Sequence, residues 1–141
     1  MDDSPPLEEI AERLLSQPSA SLTPAERGFV AIWELEADVN NGGFSQYFFN
    51  SAGGDVWIAS RALRDIGADR CADIVDRAGA LLSLNATEWA SREARQSALE
   101  ALSDSDSAAL DDLDAVFYGY PDDIDALLRA FVLKHRDGFS R

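Results

Sequence analysis

Asp38-Val39-Asn40-Asn41-Gly42-Gly43-Phe44-Ser45-Gln46-Tyr47-Phe48-Phe49-Asn50 interleaves three asparagines, two glycines and a glutamine with four aromatic rings. Asparagine and glycine tolerate the left-handed backbone that ends helices, so the helix entering this stretch is expected to stop near Val39. The following run, Phe44 to Asn50, is too short for periodicity to separate a strand from a short helix. Its surroundings decide the class, because every longer segment on either side carries helical spacing and none alternates as a strand would.

Upstream, Thr23-Pro24-Ala25-Glu26 is a helix start: a capping threonine, a proline in the first turn and a glutamate three residues on that completes a capping box. Phe29, Ile32, Trp33 and Glu36 follow at helical spacing. An earlier helix is expected from Pro5 to Gln17, with Leu7, Ile10, Ala11, Leu14 and Leu15 on one face. Downstream, Asp55 is expected to cap a helix that carries Val56, Ile58, Ala59, Ala62, Leu63 and Ile66 and ends at Gly67. Another runs from Asp69 to Leu82, a further one from Ala86 to Leu102 anchored by Trp89, and a third from Ala108 to Phe117. The last starts at Asp122 and turns Ile124, Leu127, Leu128, Phe131 and Val132 inward. The fold class is therefore all-α, a compact single-domain bundle of about seven short helices. Residues 1–22 are read as an N-terminal helix and linker, and residues 23–141 as the main helical domain.

Length and composition set the outer bounds. A chain of 141 residues with 46% apolar content can bury one core without a disulfide or metal. Cys71 is the only cysteine, which excludes an internal disulfide and the cysteine-based zinc patterns. The opening Met1-Asp2-Asp3-Ser4-Pro5-Pro6 is acidic and polar, unlike a secretory signal, and no apolar run reaches the roughly 18 residues of a membrane span. A cytoplasmic location is expected by elimination. The net charge of −14 disfavours nucleic acid or an anionic membrane as direct ligands, since phosphate binding needs clustered Lys and Arg. An acidic chain attracts basic proteins instead.

No catalytic residue, metal ligand or cofactor site is read from the sequence. His135, the only histidine, lies between Lys134 and Arg136 where cations complement the end of a helix. Cys71 sits on an apolar face without an activating base nearby. Asp104-Ser105-Asp106-Ser107 fails as a calcium loop, because the sixth position is Ala109 and the twelfth is Ala115. Two readings of Asp38–Asn50 stay open. Its amides can tie a corner between helices to neighbouring backbone, or they can line a polar pocket formed by Asn41, Gln46, Tyr47 and Asn50.

The motif residues Asp38, Asn40, Asn41, Gly42, Gly43, Phe44, Gln46, Tyr47, Phe48 and Asn50 resemble the signature of a bacterial family named after the C-terminal domain of a DNA-mimic protein. The likeness continues through Ala62-Leu63-Arg64-Asp65-Ile66-Gly67-Ala68 and Asp112 to Phe139, and spans roughly Gly28 to Phe139. The family pattern usually carries glutamate where Asp38 stands. The resemblance implies an all-helical fold. For the named member it implies a homodimer that presents carboxylates in place of DNA phosphates to a transcription regulator. Mimicry rests on surface acids that relatives need not share, so the charge layout is a separate question.

That layout is uneven. Glu100, Asp104, Asp106, Asp111, Asp112, Asp114, Asp122, Asp123 and Asp125 lie between Arg95 and Arg129 with no Lys or Arg among them. Three- or four-residue spacing on a helix sets side chains about 5–6 Å apart, comparable with phosphates along one DNA strand. Asp104 or Asp106, and Asp122, stand where helix caps are expected; the others are surplus. The expected function is an acidic interaction protein that occupies the basic, DNA-binding face of a partner such as a transcription regulator. The alternatives are an immunity- or antitoxin-like inhibitor of a basic toxin, and a small-molecule-binding or enzymatic domain centred on Asp38–Asn50.

Overall fold

The computed structural model describes residues 6–139. The polar opening and the Pro5 start expected for the first helix lie outside them. Eight α-helices follow in order: α1 Leu7–Leu15, α2 Pro24–Phe49, α3 Val56–Asp65, α4 Asp69–Ala80, α5 Ala86–Trp89, α6 Arg92–Glu100, α7 Asp104–Tyr118 and α8 Ile124–Lys134. Short 3₁₀ turns at Ser19–Ser21, Ser51–Asp55 and Arg136–Gly138 join or close them. Among the described residues there is no strand, and Phe44 to Phe49 are helix, with Asn50 extended just beyond its end.

The long helix α2 is the spine. Thr23 Oγ1 accepts from the Glu26 amide at 3.1 Å while Glu26 Oε1 accepts from the Thr23 amide at 2.8 Å, the reciprocal box expected from the sequence. Its first limb turns Phe29, Ile32, Leu35 and Val39 into the interior, and its second turns in Phe44, Tyr47 and Phe48, all with no exposed surface. Each such apolar side chain contributes roughly 1.5–3 kcal/mol on burial. Around this spine pack α1, α3, α6 and α7, while α4 rests on α3 and α7. On α1, Leu7, Ala11 and Leu14 are buried, but Leu15 faces solvent.

Three boundaries differ from expectation. Instead of stopping at Val39, α2 continues through a break at Gly42 (φ −152°, ψ 20°) and Gly43 (φ 77°, ψ −177°). The segment expected to run from Ala86 to Leu102 is two helices, because Ser91 Oγ accepts from the Ala94 amide at 3.1 Å and starts α6 afresh. That restart lets Trp89 turn inward, where it is 2% exposed. Finally, α7 begins at Asp104 rather than Ala108, capped by Ser103, whose hydroxyl accepts from the Asp106 amide at 3.0 Å. Asp55 occupies the position before α3 but makes no side-chain cap there.

Candidate functional site

The nine acids of the Arg95–Arg129 interval separate into two kinds. Glu100, Asp104, Asp111, Asp112, Asp123 and Asp125 are exposed, whereas Asp106, Asp114 and Asp122 are half-buried. Asp114 Oδ1 accepts from the Phe44 amide at 2.8 Å, and Asp122 Oδ2 accepts from the Cys71 amide at 2.9 Å. Both carboxylates thus cap helix starts that belong to other elements: the second limb of α2 and the first turn of α4. The cap of α8 is Asp123, whose Oδ1 accepts from the Ala126 amide at 3.1 Å, and not Asp122 as expected. Asp104 and Asp106 sit inside the first turn of α7, where negative charge complements the helix dipole, while Ser103 supplies the cap. Asp125 pairs with Arg129 at 2.9 Å, one helical turn on. Glu100, Asp104, Asp111 and Asp112 remain as exposed acids on α6 and α7, and among the described residues their side chains form neither a cap nor an ion pair.

The motif builds a corner from its own side chains. Asn41 Nδ2 donates to Gln46 Oε1 at 2.9 Å, Gln46 Nε2 donates to Asp38 Oδ1 at 3.2 Å, and Asn50 Nδ2 donates to the same oxygen at 3.2 Å. Asp38 therefore holds both amides through a single carboxylate oxygen. A methyl group on Gly42 would collide with the Gln46 amide, and one on Gly43 would collide with the Asp114 carboxylate. Each glycine thus leaves room for one named partner. Phe44, Tyr47 and Phe48 form the apolar floor; Phe44 meets Phe117 edge-on at 5.6 Å and Phe48 meets Trp89 edge-on at 5.2 Å.

Beneath the corner, α6 satisfies the carbonyls that end α2. Arg95 Nε donates to Phe48 O at 3.1 Å, Nη2 to Asn50 O at 3.1 Å and Nη1 to Trp89 O at 2.6 Å. Arg92 Nε and Gln96 Nε2 both donate to Phe49 O, at 2.9 and 3.1 Å. A cationic cap suits the negative end of a helix. Burial lowers the Arg95 pKa, Arg92 adds to that, and Tyr47 and Asp55 oppose it. Sequence reading missed this trio, although the spacing 92, 95, 96 places all three on one helical face.

A second missed network joins α2 to the turn before α8. Asn40 Nδ2 donates to Tyr120 Oη at 2.7 Å, Tyr120 Oη donates to Glu36 Oε1 at 3.2 Å, and Tyr118 Oη donates to Val39 O at 2.9 Å. Burial pushes the Glu36 carboxyl up to about 7; the Tyr120 hydroxyl pulls it back and Asp125 pushes it up further. The folded chain therefore keeps a proton on Glu36 between pH 4.5 and about 7 that the unfolded chain releases. Stability from this group falls as pH rises through that window, and the loss is complete above it. We expect Glu36→Gln to raise stability at pH 8 by on the order of 1–3 kcal/mol and to leave it unchanged at pH 4. Urea titrations of both chains across pH 4–8 measure this; parallel pH dependences would refute it.

Burial also pushes the Cys71 thiol up to about 11, against a reactive role. His135 is exposed and lies 4.3 Å, centroid to centroid, from Phe131. Among the described residues no group of three or more His, Cys, Asp or Glu could hold a metal ion, and no helix is long and apolar enough to cross a membrane. A cavity of about 510 Å³ lies between α2, α3 and α8 and is lined by Gly28, Phe29, Ile32, Ala62, Ile66 and Phe131 among others. None of the residues that line it belongs to the motif, whose Asn41, Gln46 and Asn50 amides bond to one another or to Asp38.

The model of a family described as DMP19-like protein matches residues 20–135. No curated protein and no solved structure matches the chain.

Proposed function

The chain belongs to the DMP19-like protein family, and from that premise we propose that it acts as a DNA mimic and binds the basic, DNA-binding face of a partner protein. The observation that carries this reading is the placement of charge. A stretch of 33 residues between Arg95 and Arg129 holds nine acids and no cation, and six of the acids are exposed. Asp104, Asp111 and Asp112 stand on one helix, at distances along the axis of roughly 10 and 12 Å from first to second and third. Helices hold such carboxylates in fixed positions, as a duplex holds its phosphates, so a basic face meets them without first ordering a loop. Asp114 and Asp122 contribute to the field but are committed to backbone amides, which assigns direct contact to the exposed acids.

The test uses a panel of purified bacterial DNA-binding regulators, each titrated with the chain in the presence and absence of its duplex. The expected result is a complex with at least one regulator that competes with DNA and weakens as salt is raised. The combined variant Glu100→Gln, Asp104→Asn, Asp111→Asn and Asp112→Asn is expected to weaken that complex at least about tenfold at low salt. Its melting temperature should change little, since no cap or ion pair is removed. A panel that yields no salt-sensitive complex, or a variant that binds undiminished, would sink the proposal.

A further inference from the structure

The start of α2 runs past a groove that neither the motif nor the acidic interval uses. Its centre is the cavity of about 510 Å³ between α2, α3 and α8, a volume in the range of small-molecule sites. Phe29 and Ile32 form an apolar floor with no exposed surface, while Gly28 and Phe131 are half-buried. Space remains because the facing residues are small: a methyl group on Gly28 would come within 3.1 Å of the Ala62 Cβ. Two further hollows adjoin the cavity. One, of about 460 Å³, shares Pro24, Gly28, Ala62 and Asp65 with it and adds Arg27 and Arg61. The other, of about 480 Å³, shares Pro24, Ala25 and His135 and adds Lys134 and Arg136. Four cations, Arg27, Arg61, Lys134 and Arg136, thus face two carboxylates, Asp65 and Asp137, along the groove. The chain as a whole has the opposite balance, 26 acids against 12 Lys and Arg. Among the described residues Arg61, Lys134 and Arg136 enter no ion pair.

We propose that this groove binds a small amphipathic carboxylate of the medium-chain fatty acid class. Its alkyl chain lies over Phe29, Ile32 and Phe131, and its carboxylate meets Arg27 and Arg61. The apolar floor offers nothing to a polar ligand and excludes water around an alkyl chain. A guanidinium presents paired donors in a planar fork that matches a carboxylate. These two arginines line the hollow that shares four residues with the cavity, so head and chain can be held at once. Asp65 belongs to both hollows, which favours a single negative charge over the two of a phosphate. Lys134 and Arg136 raise the local potential from the end of α8 and draw anions to a part of the surface that the net charge would otherwise repel. The proposal goes beyond the acidic face and does not rest on it, since none of the six exposed acids of the Arg95–Arg129 interval lines the groove.

The experiment titrates the isotope-labelled chain with sodium octanoate at constant, physiological ionic strength and follows the backbone amides of Gly28, Ala62 and Ile66 by NMR. The expected result is saturable movement of these amides. Affinity should rise about three- to fourfold for each methylene added from hexanoate to octanoate. Octanol, which has the same chain without the charge, should bind at least about fivefold more weakly, and octylammonium more weakly still. The combined variant Arg27→Gln, Arg61→Gln should weaken octanoate about tenfold, and Asp65→Asn should tighten it several-fold. All three side chains are exposed, so the melting temperature should change little in either variant. Octanol or octylammonium binding as tightly as octanoate would overturn the carboxylate head, and so would an octanoate affinity unaltered in both charge variants. Shifts that stay linear, or an affinity independent of chain length, would overturn the groove as a binding site.

Discussion

Arg95→Met is expected to destabilise the chain by about 3–5 kcal/mol, read as a fall in the urea midpoint at neutral pH. Methionine fills most of the arginine volume, so the loss measures polar bonds rather than a cavity. Three buried or half-buried carbonyls depend on this guanidinium: Phe48 O, Trp89 O and Asn50 O. Bonds to a charged donor contribute roughly 1.5–3 kcal/mol each, and entry of water offsets part of the total. Asn50 O keeps a second partner in the Gly53 amide at 3.1 Å, which limits the damage at that site. Lysine at 95 should restore only a minor part, because one ammonium cannot reach three carbonyls that lie in three directions. Single loss of Arg92 or Gln96 should cost under about 1 kcal/mol, because the two donate to the same carbonyl and each covers for the other. Equal effects at 92 and 95 would mean that α2 does not depend on its cap from α6.

This contrast shows where the sequence stopped being legible. The helix class, the capping box at Thr23 and the inward faces of α4 and α8 follow from local spacing and are met in the structure, as is the face of α3 except for Ile58, which is exposed. The breaks were harder because their causes are distant. Val39 looked like an end because Asn40 to Gly43 form a stop signal by local chemistry; the chain resumes as helix because Asp114, 70 residues on, supplies the missing cap. Ser91 restarts a helix within a run whose periodicity reads as continuous. The acidic interval was legible as a count, but not in its division of labour. A carboxylate that caps another element from a distance has the same sequence signature as one that faces water. Arg95 sat at the edge of the interval and was read only as its boundary, although its three carbonyl partners make it the main polar support of the motif corner.

Gly43→Ala is expected to cost about 3–5 kcal/mol, and its origin can be separated by partner variants. At φ 77° and ψ −177° the backbone occupies a region that is essentially glycine-only, and an alanine methyl would also collide with the Asp114 carboxylate. Relaxing the backbone would swing the Phe44 amide away from its acceptor at 2.8 Å, so the cap of the second limb would fail together with the strain. Asp114→Asn keeps an oxygen acceptor and should cost under about 1 kcal/mol, whereas Asp114→Ala should cost about 1–2 kcal/mol as a lost cap. The double variant Gly43→Ala, Asp114→Ala should then be less destabilised than the sum of its parts, because the collision disappears with the carboxylate while the backbone strain stays. Additive losses in urea titrations would show that steric conflict with Asp114 plays no part. The series also bears on function. Asp114→Asn removes one negative charge from the acidic interval with little change of fold, and a half-buried carboxylate bonded to Phe44 should matter less to a basic partner than exposed Asp111 or Asp112. Regulator binding that fell as far for Asp114→Asn as for Asp111→Asn would mean that the partner reads the summed field of the interval, and not the contacts of its exposed acids.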